Sequence, residues 1–113
     1  MPIVSFKVIP MGIGTSVSRY IARVVALLEE RGYKPRVTPD TTILRINDLS
    51  EIGVITRMIH DELYSMGVQR IITVIMVDDR RDIEEREPEV LVKRVEELKE
   101  HEKKKMKDLH GVL

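Results

Sequence analysis

The chain predicts an α+β fold: a four-stranded antiparallel sheet with two helices on one face and a third helix appended at the C-terminus. Three observations predict it. Hydrophobic periodicity runs in the order strand, helix, strand, strand, helix, strand. Each of the first two helical stretches carries one apolar stripe, and so has one face to bury. The length of 113 residues with 42% apolar content supports one core and one domain.

Each element has a local reason. Residues 3–9 alternate, with Val4, Phe6 and Val8 on one side and Ile3, Ser5, Lys7 and Ile9 on the other, the period of a strand. In residues 17–31, Val17, Tyr20, Ile21, Val24, Val25 and Leu28 fall on one helical face. Thr15 or Ser16 is the expected N-cap of this helix, and Gly32 its stop. Residues 33–38 read as a second strand, and Pro35 assigns it to an edge of the sheet. Pro39, Asp40 and Thr41 form a turn into a third strand over 42–46. Asp48 with Glu51 has the spacing of a capping box for a second helix, whose buried face is Ile52, Ile55, Ile59, Leu63 and Met66. Gly67 ends it, and the almost wholly apolar residues 69–77 form a fourth strand.

Beyond the charged run 78–82 the composition changes. A third helix is expected to start near Pro88 and reach His110. Its acids come early (Glu84, Glu85, Glu87, Glu89) and its lysines late, which suits the helix dipole. Its apolar stripe is thin. The expected organisation is one ligand-binding domain over 1–113, with 83–113 as a helical extension. The order βαββαβ is the ferredoxin-like plan.

The fourth strand sets a further expectation. Ile71, Ile75 and Val77 face one way, and Ile72, Val74 and Met76 the other. A half-exposed strand shows polar residues on one side. Both faces are therefore expected to be buried, the open one against a second subunit, giving a dimer or tetramer built sheet to sheet. The alternative is that the third helix folds back over that face.

Composition excludes several classes. Nineteen basic and nineteen acidic residues cancel, so there is no overall positive field to hold nucleic acid or an anionic membrane. The absence of cysteine excludes disulfides and thiolate zinc sites. No apolar run approaches the roughly 20 residues of a membrane helix, and the first residues do not read as a signal peptide; a cytoplasmic location is expected. Charged residues at 34%, with one Asn and one Gln, suggest a heat-adapted source.

The candidate site is the stretch from Pro10 to Tyr20. Gly12, Gly14, Thr15, Ser16 and Ser18 crowd the start of the first helix. Free backbone N–H groups and the positive end of the helix dipole make such a turn a place for a polar or anionic ligand. The plainer alternative is that the glycines shape the turn and one hydroxyl caps the helix. Neither a Walker loop nor G-x-G-x-x-G is present, since Val17 occupies the third glycine position. Thr42 enters its strand with a hydroxyl that could face the open side of the sheet, beside Ser5 and Lys7. Asp78 continues the fourth strand and is expected to point inward, where it would balance a cationic ligand. Local ion pairing is the commoner role for residues 78–82. His60 reads as a half-buried helix histidine. There is no nucleophile–base pair, metal-ligand spacing or paired catalytic carboxylate, and no cofactor is called for.

These residues resemble the small thiamine-binding proteins of ferredoxin-like fold. The resemblance rests on P-x-G-x-G-x-S-x-S-x-Y from Pro10 to Tyr20, Pro39 with Thr42, His60, Gly67-Val68-x-Arg70, and Asp79-Arg80. It covers nearly the whole chain. It implies a non-catalytic binding protein for thiamine or its hydroxymethylpyrimidine part, assembled by packing sheets, with ligand sites beside the subunit interface. Carried over by position, Gly12, Gly14, Ser16, Ser18 and Thr42 would line the site. Two departures lie near that pocket. Asp40 stands where the family usually has an apolar residue, and Arg45-Ile46 replaces an acidic–glycine pair.

The rival class is a regulatory or scaffold module acting through protein contacts, suggested by the long Lys/Glu-rich third helix. An acylphosphatase-like enzyme would need an arginine in the first turn, whereas Arg19 is already in the helix. Single-stranded RNA binding lacks strand aromatics for stacking.

Overall fold

A computed structural model describes residues 1–82 and 88–110. The elements are β1 (Ile3–Met11), α1 (Ser18–Glu30), β2 (Arg36–Val37), β3 (Thr42–Arg45), α2 (Glu51–Ser65), β4 (Arg70–Asp78) and α3 (Pro88–Leu109). The sheet order is β2-β3-β1-β4, and every pairing is antiparallel. This is the predicted ferredoxin-like α+β fold. β2 is an edge strand, as expected, but it spans only Arg36–Val37 of the expected 33–38, so Pro35 lies outside it. The expected Glu84, Glu85 and Glu87 of the helical extension lie outside the described residues.

Register divides the sheet into two faces. Val4, Phe6 and Val8 of β1 point toward the helices with Leu44 and Ile46. They meet Val24 and Leu28 of α1 and Ile55, Ile59 and Leu63 of α2, and together these form the core. His60 of α2 reaches β4 through a 2.7 Å hydrogen bond between Nε2 and the Thr73 hydroxyl. It bridges helix to sheet, as a half-buried histidine does.

Both helices end by the same device. At Gly32 and Gly67 the chain takes φ of +90° and +94°. Gly32 N–H donates to Glu29 and Tyr33 N–H to Leu28 (both 3.0 Å); Gly67 N–H donates to Tyr64 (3.0 Å) and Val68 N–H to Leu63 (3.2 Å). This is the Schellman closure, and it carries Tyr33 and Val68 back against the core. At its start α2 has half of the predicted capping box: its N-cap position is Ser50, with no side-chain cap, and Glu51 N–H donates to the Asp48 carbonyl rather than to its carboxylate. Glu51 Oε2 accepts the N–H groups of Asn47 and Asp48 at 2.7 Å, and Asp48 Oδ2 accepts that of Ser50 at 2.9 Å. α1 departs from expectation. Its N-cap position is Val17, with no side-chain cap, so neither Thr15 nor Ser16 fills that role. The two glycine-dependent bends before it, at Gly12 (φ +76°) and Gly14 (φ +90°), place the hydroxyls one and two residues too early.

Beyond its first turn, where Glu89 pairs with Arg36 of β2, the third helix does not cover the sheet. Val92, Val95, Leu98 and Met106 are exposed. The radius of gyration is 18.1 Å, against about 13 Å for a compact chain of this length. The open face of β4 therefore stays uncovered within one chain: Ile72, Val74 and Met76 are 40%, 55% and 66% exposed.

Two predictions follow from these ends and caps. Gly67→Ala places a methyl at positive φ and costs about 1–2 kcal/mol. Gly53→Ala, inside α2 with open space around its Cα, stabilises by about 0.4–1 kcal/mol. Urea unfolding of both variants should give opposite signs for the same chemical change. The bonds from Ser50 hold the Asp48 carboxyl below its usual pKa. Its contribution is thus present above the ordinary aspartate value of about 3.9 and is lost as pH falls through the lower folded value. Asp48→Asn should flatten that acid-side loss in thermal unfolding measured from neutral pH downward.

Candidate functional site

The site begins with unequal strand lengths. β4 pairs with β1 along all nine residues, from Ile3 opposite Asp78 to Met11 opposite Arg70. β3 pairs only with Ile3 to Phe6. Beyond Phe6, the edge of β1 toward β3 has lost its strand neighbour. A cleft of about 210 Å³ opens there, between Lys7–Ile9 of β1, the start of α1 at Val17 and Ile21, and the turn 38–42. A shallower groove of about 600 Å³ continues it between α1 and β2, past Ser18, Ala22 and Val25. Val17, Ile21, Thr38 and Pro39 line both, so the two concavities form one site.

The turn that walls this cleft is rigidly built. Thr38 Oγ1 accepts the N–H groups of Thr41 (2.9 Å) and Asp40 (3.3 Å), and Thr38 N–H donates to the Thr41 carbonyl at 2.8 Å. The two threonine hydroxyls also lie 3.0 Å apart, as a hydrogen bond. One hydroxyl thus organises a four-residue turn, a recurring use of Ser and Thr. Opposite it, α1 starts with no cap and no acid in its first turn. Its leading N–H groups and positive dipole end are therefore uncompensated by any side chain of the helix itself.

The sequence-predicted residues separate into three groups. Ser18 and Thr42 line the site. Thr42 does so from the helix-covered side: it pairs with Phe6 and is only 3% exposed. The expectation that its hydroxyl faces the open side of the sheet is thus overturned by register, whereas Ser5 and Lys7 do occupy that open face opposite Met76 and Val74. Gly12, Gly14, Thr15 and Ser16 form the exposed loop leading into α1 and line neither concavity. Asp78 is elsewhere. It pairs with Ile3, about 26 Å along β1 from Met11 at ~3.3 Å per residue. Its register places it with Ile72, Val74 and Met76 rather than inward, because strand side chains alternate. Asp79 and Arg81 pair at 2.9 Å and Arg80 and Asp82 at 2.7 Å, the local ion pairing expected of this run.

Thr38, Pro39 and the apolar wall of Val17 and Ile21 were not singled out from sequence as site residues. The signal available was Thr38-Pro39-Asp40-Thr41, whose hydroxyls bracket a proline turn. Asp40, one of the two family departures, lies within the cleft wall. Among the described residues no group of His, Asp or Glu is placed to hold a metal ion, and no helix is long and apolar enough to cross a membrane.

Comparison with known proteins agrees with this architecture. The family model described as "Thiamine-binding protein" matches residues 4–96. The UPF0045 protein YqgV of Bacillus subtilis is 37% identical over 87 residues, covering 73% of this chain and 83% of its own. A hypothetical protein of Methanocaldococcus jannascii superposes with a TM-score of 0.71 at 26% identity, over 85% of this chain and 96% of the other. A candidate thiamine biosynthesis/salvage protein of Thermotoga maritima shares the fold, with a TM-score of 0.60 at 22% identity over 70% and 83% of the two chains. The chain belongs to the thiamine-binding protein family.

Proposed function

We propose that this protein binds thiamine, a thiamine phosphate or the related hydroxymethylpyrimidine in the cleft beside β1, without catalysis, as a homo-oligomer in the cytoplasm. The observation that carries the reading is the cleft itself. It joins an uncapped helix start to a hydroxyl-lined turn, in a chain whose family is described by thiamine binding. The chemistry is complementary. An aminopyrimidine edge offers donors and acceptors to Thr42 and the 38–41 turn. The carboxylate of Asp40 suits a thiazolium cation, and the start of α1 with Ser18 suits a phosphate tail. Val17 and Ile21 supply an apolar wall of the kind small-molecule sites use.

Assembly is supported by the uncovered face of the sheet. Ile9, Ile43, Ile72, Val74 and Met76 share it, and β4 is also an edge strand. An exposed apolar strip along a free strand edge, here Ile72, Val74 and Met76, marks an association surface. A second reading, a protein-contact module, draws on α3, which projects from the core with its apolar side chains exposed. Co-purification of a stoichiometric partner on α3, with no heat from thiamine compounds, would favour that reading.

Isothermal titration tests the ligand. Heat is expected from at least one of thiamine, its phosphates and hydroxymethylpyrimidine; silence from all of them at high protein concentration removes the proposal. Ser18→Ala should weaken a phosphorylated ligand by about 1.5–3 kcal/mol, the scale of one bond to a charged group, and leave hydroxymethylpyrimidine nearly unaffected. For assembly, Val74→Lys places a second cation opposite Lys7 on the open face. Light scattering should show the parent chain as a dimer or larger and the variant as a monomer of unchanged helicity.

A further inference from the structure

A second concavity lies at the opposite end of the sheet from the cleft. Its volume is about 720 Å³, within the range of small-molecule sites. Four cationic side chains line it: Arg31, Lys34, Arg36 and Arg45. The chain as a whole is neutral, so this is a local concentration of charge rather than a reflection of composition.

Local structure explains how four cations come together. Arg31 occupies the C-cap of α1, and the Schellman turn at Gly32 reverses the chain immediately beyond it. Lys34 follows that turn, and Arg36 opens β2. β2 pairs with β3, and Arg36 stands opposite Ile43. Arg45 is two residues further along β3 and so on the same face as Ile43.

Two carboxylates also line the concavity, and both are already engaged. Glu51 accepts the Tyr33 hydroxyl at 3.0 Å as well as the N–H groups of Asn47 and Asp48. Glu89 pairs with Arg36. Arg36 and Arg45 are likewise engaged, whereas Arg31 and Lys34 enter no ion pair or side-chain hydrogen bond among the described residues. Cations gathered in a concavity focus potential and attract anions. Guanidinium groups match the oxygen geometry of phosphate. Tyr33, Leu44 and Val90 add an apolar wall.

We propose that this concavity binds the phosphate or diphosphate group of a small molecule, at a site separate from the thiamine cleft. It shares no lining residue with that cleft. The two proposals therefore fail independently.

Titration of the full chain with inorganic diphosphate, at fixed ionic strength and against a chloride control, tests it. The parent chain should bind diphosphate. Arg31→Ala combined with Lys34→Ala should weaken it at least tenfold, and Lys34→Glu should do so as well. Both positions are exposed, so these variants should fold normally. Adenosine diphosphate provides the second arm: tighter binding than inorganic diphosphate assigns an organic ester that uses the apolar wall, and equal binding assigns the free anion. The proposal is overturned if the parent chain does not bind diphosphate at millimolar concentration, or if binding survives both variants. It is also overturned if a single-stranded oligonucleotide binds more tightly than either diphosphate and loses that binding in the same variants.

Discussion

The structure depends on β1 being longer than its neighbour on one side. Its nine residues are paired along their full length by β4 but for only four of them by β3. Three consequences follow from that inequality. The alternate residues Val4, Phe6 and Val8 hold the core together. The remaining edge of β1 has no strand beyond Phe6, so the turn 38–42 and the start of α1 meet across a cleft instead of a ladder. The overhang also carries the Gly12–Gly14 bends past the sheet, where positive φ can redirect the chain into α1.

Much of this was legible in the sequence because it depends on local rules. The stripes of α1 and α2, the Asp48–Glu51 contact and the glycines that end both helices are short-range signals. The face taken by Thr42 was not legible. It depends on register with Phe6, which is a pairing between residues 36 positions apart. A shift of one residue turns every side chain in a strand to the other face. Asp78 shows the same difficulty: continuing a strand does not say which way a side chain points. The N-cap of α1 was misplaced because Thr15 and Ser16 have the right chemistry, while the bends at Gly12 and Gly14 decide where helical geometry begins. Thr38 was overlooked because its hydroxyl bonds to its own turn, and nothing in periodicity reports that.

The apolar character of β4 on both sides was legible, and the structure gives it a sharper form. One side meets the helices. The other, with Ile72, Val74 and Met76, remains open because α3 leaves the sheet instead of lying on it. A strand that is apolar, edge-located and uncovered is costly to a protein that stays alone. The cleft and the cationic concavity lie toward opposite ends of the sheet, and each has lining residues on the open face, Lys7 and Ile9 in one and Arg36 and Arg45 in the other.

Backbone amide shift mapping during a thiamine titration tests the central claim most directly. Binding at the overhang of β1 should move the resonances of Lys7–Ile9, Val17–Ser18 and Thr38–Thr42 together, and leave Arg31–Arg36 in place. Shifts confined to the Arg31–Arg36 end, or to the surface of α3 alone, would contradict the account.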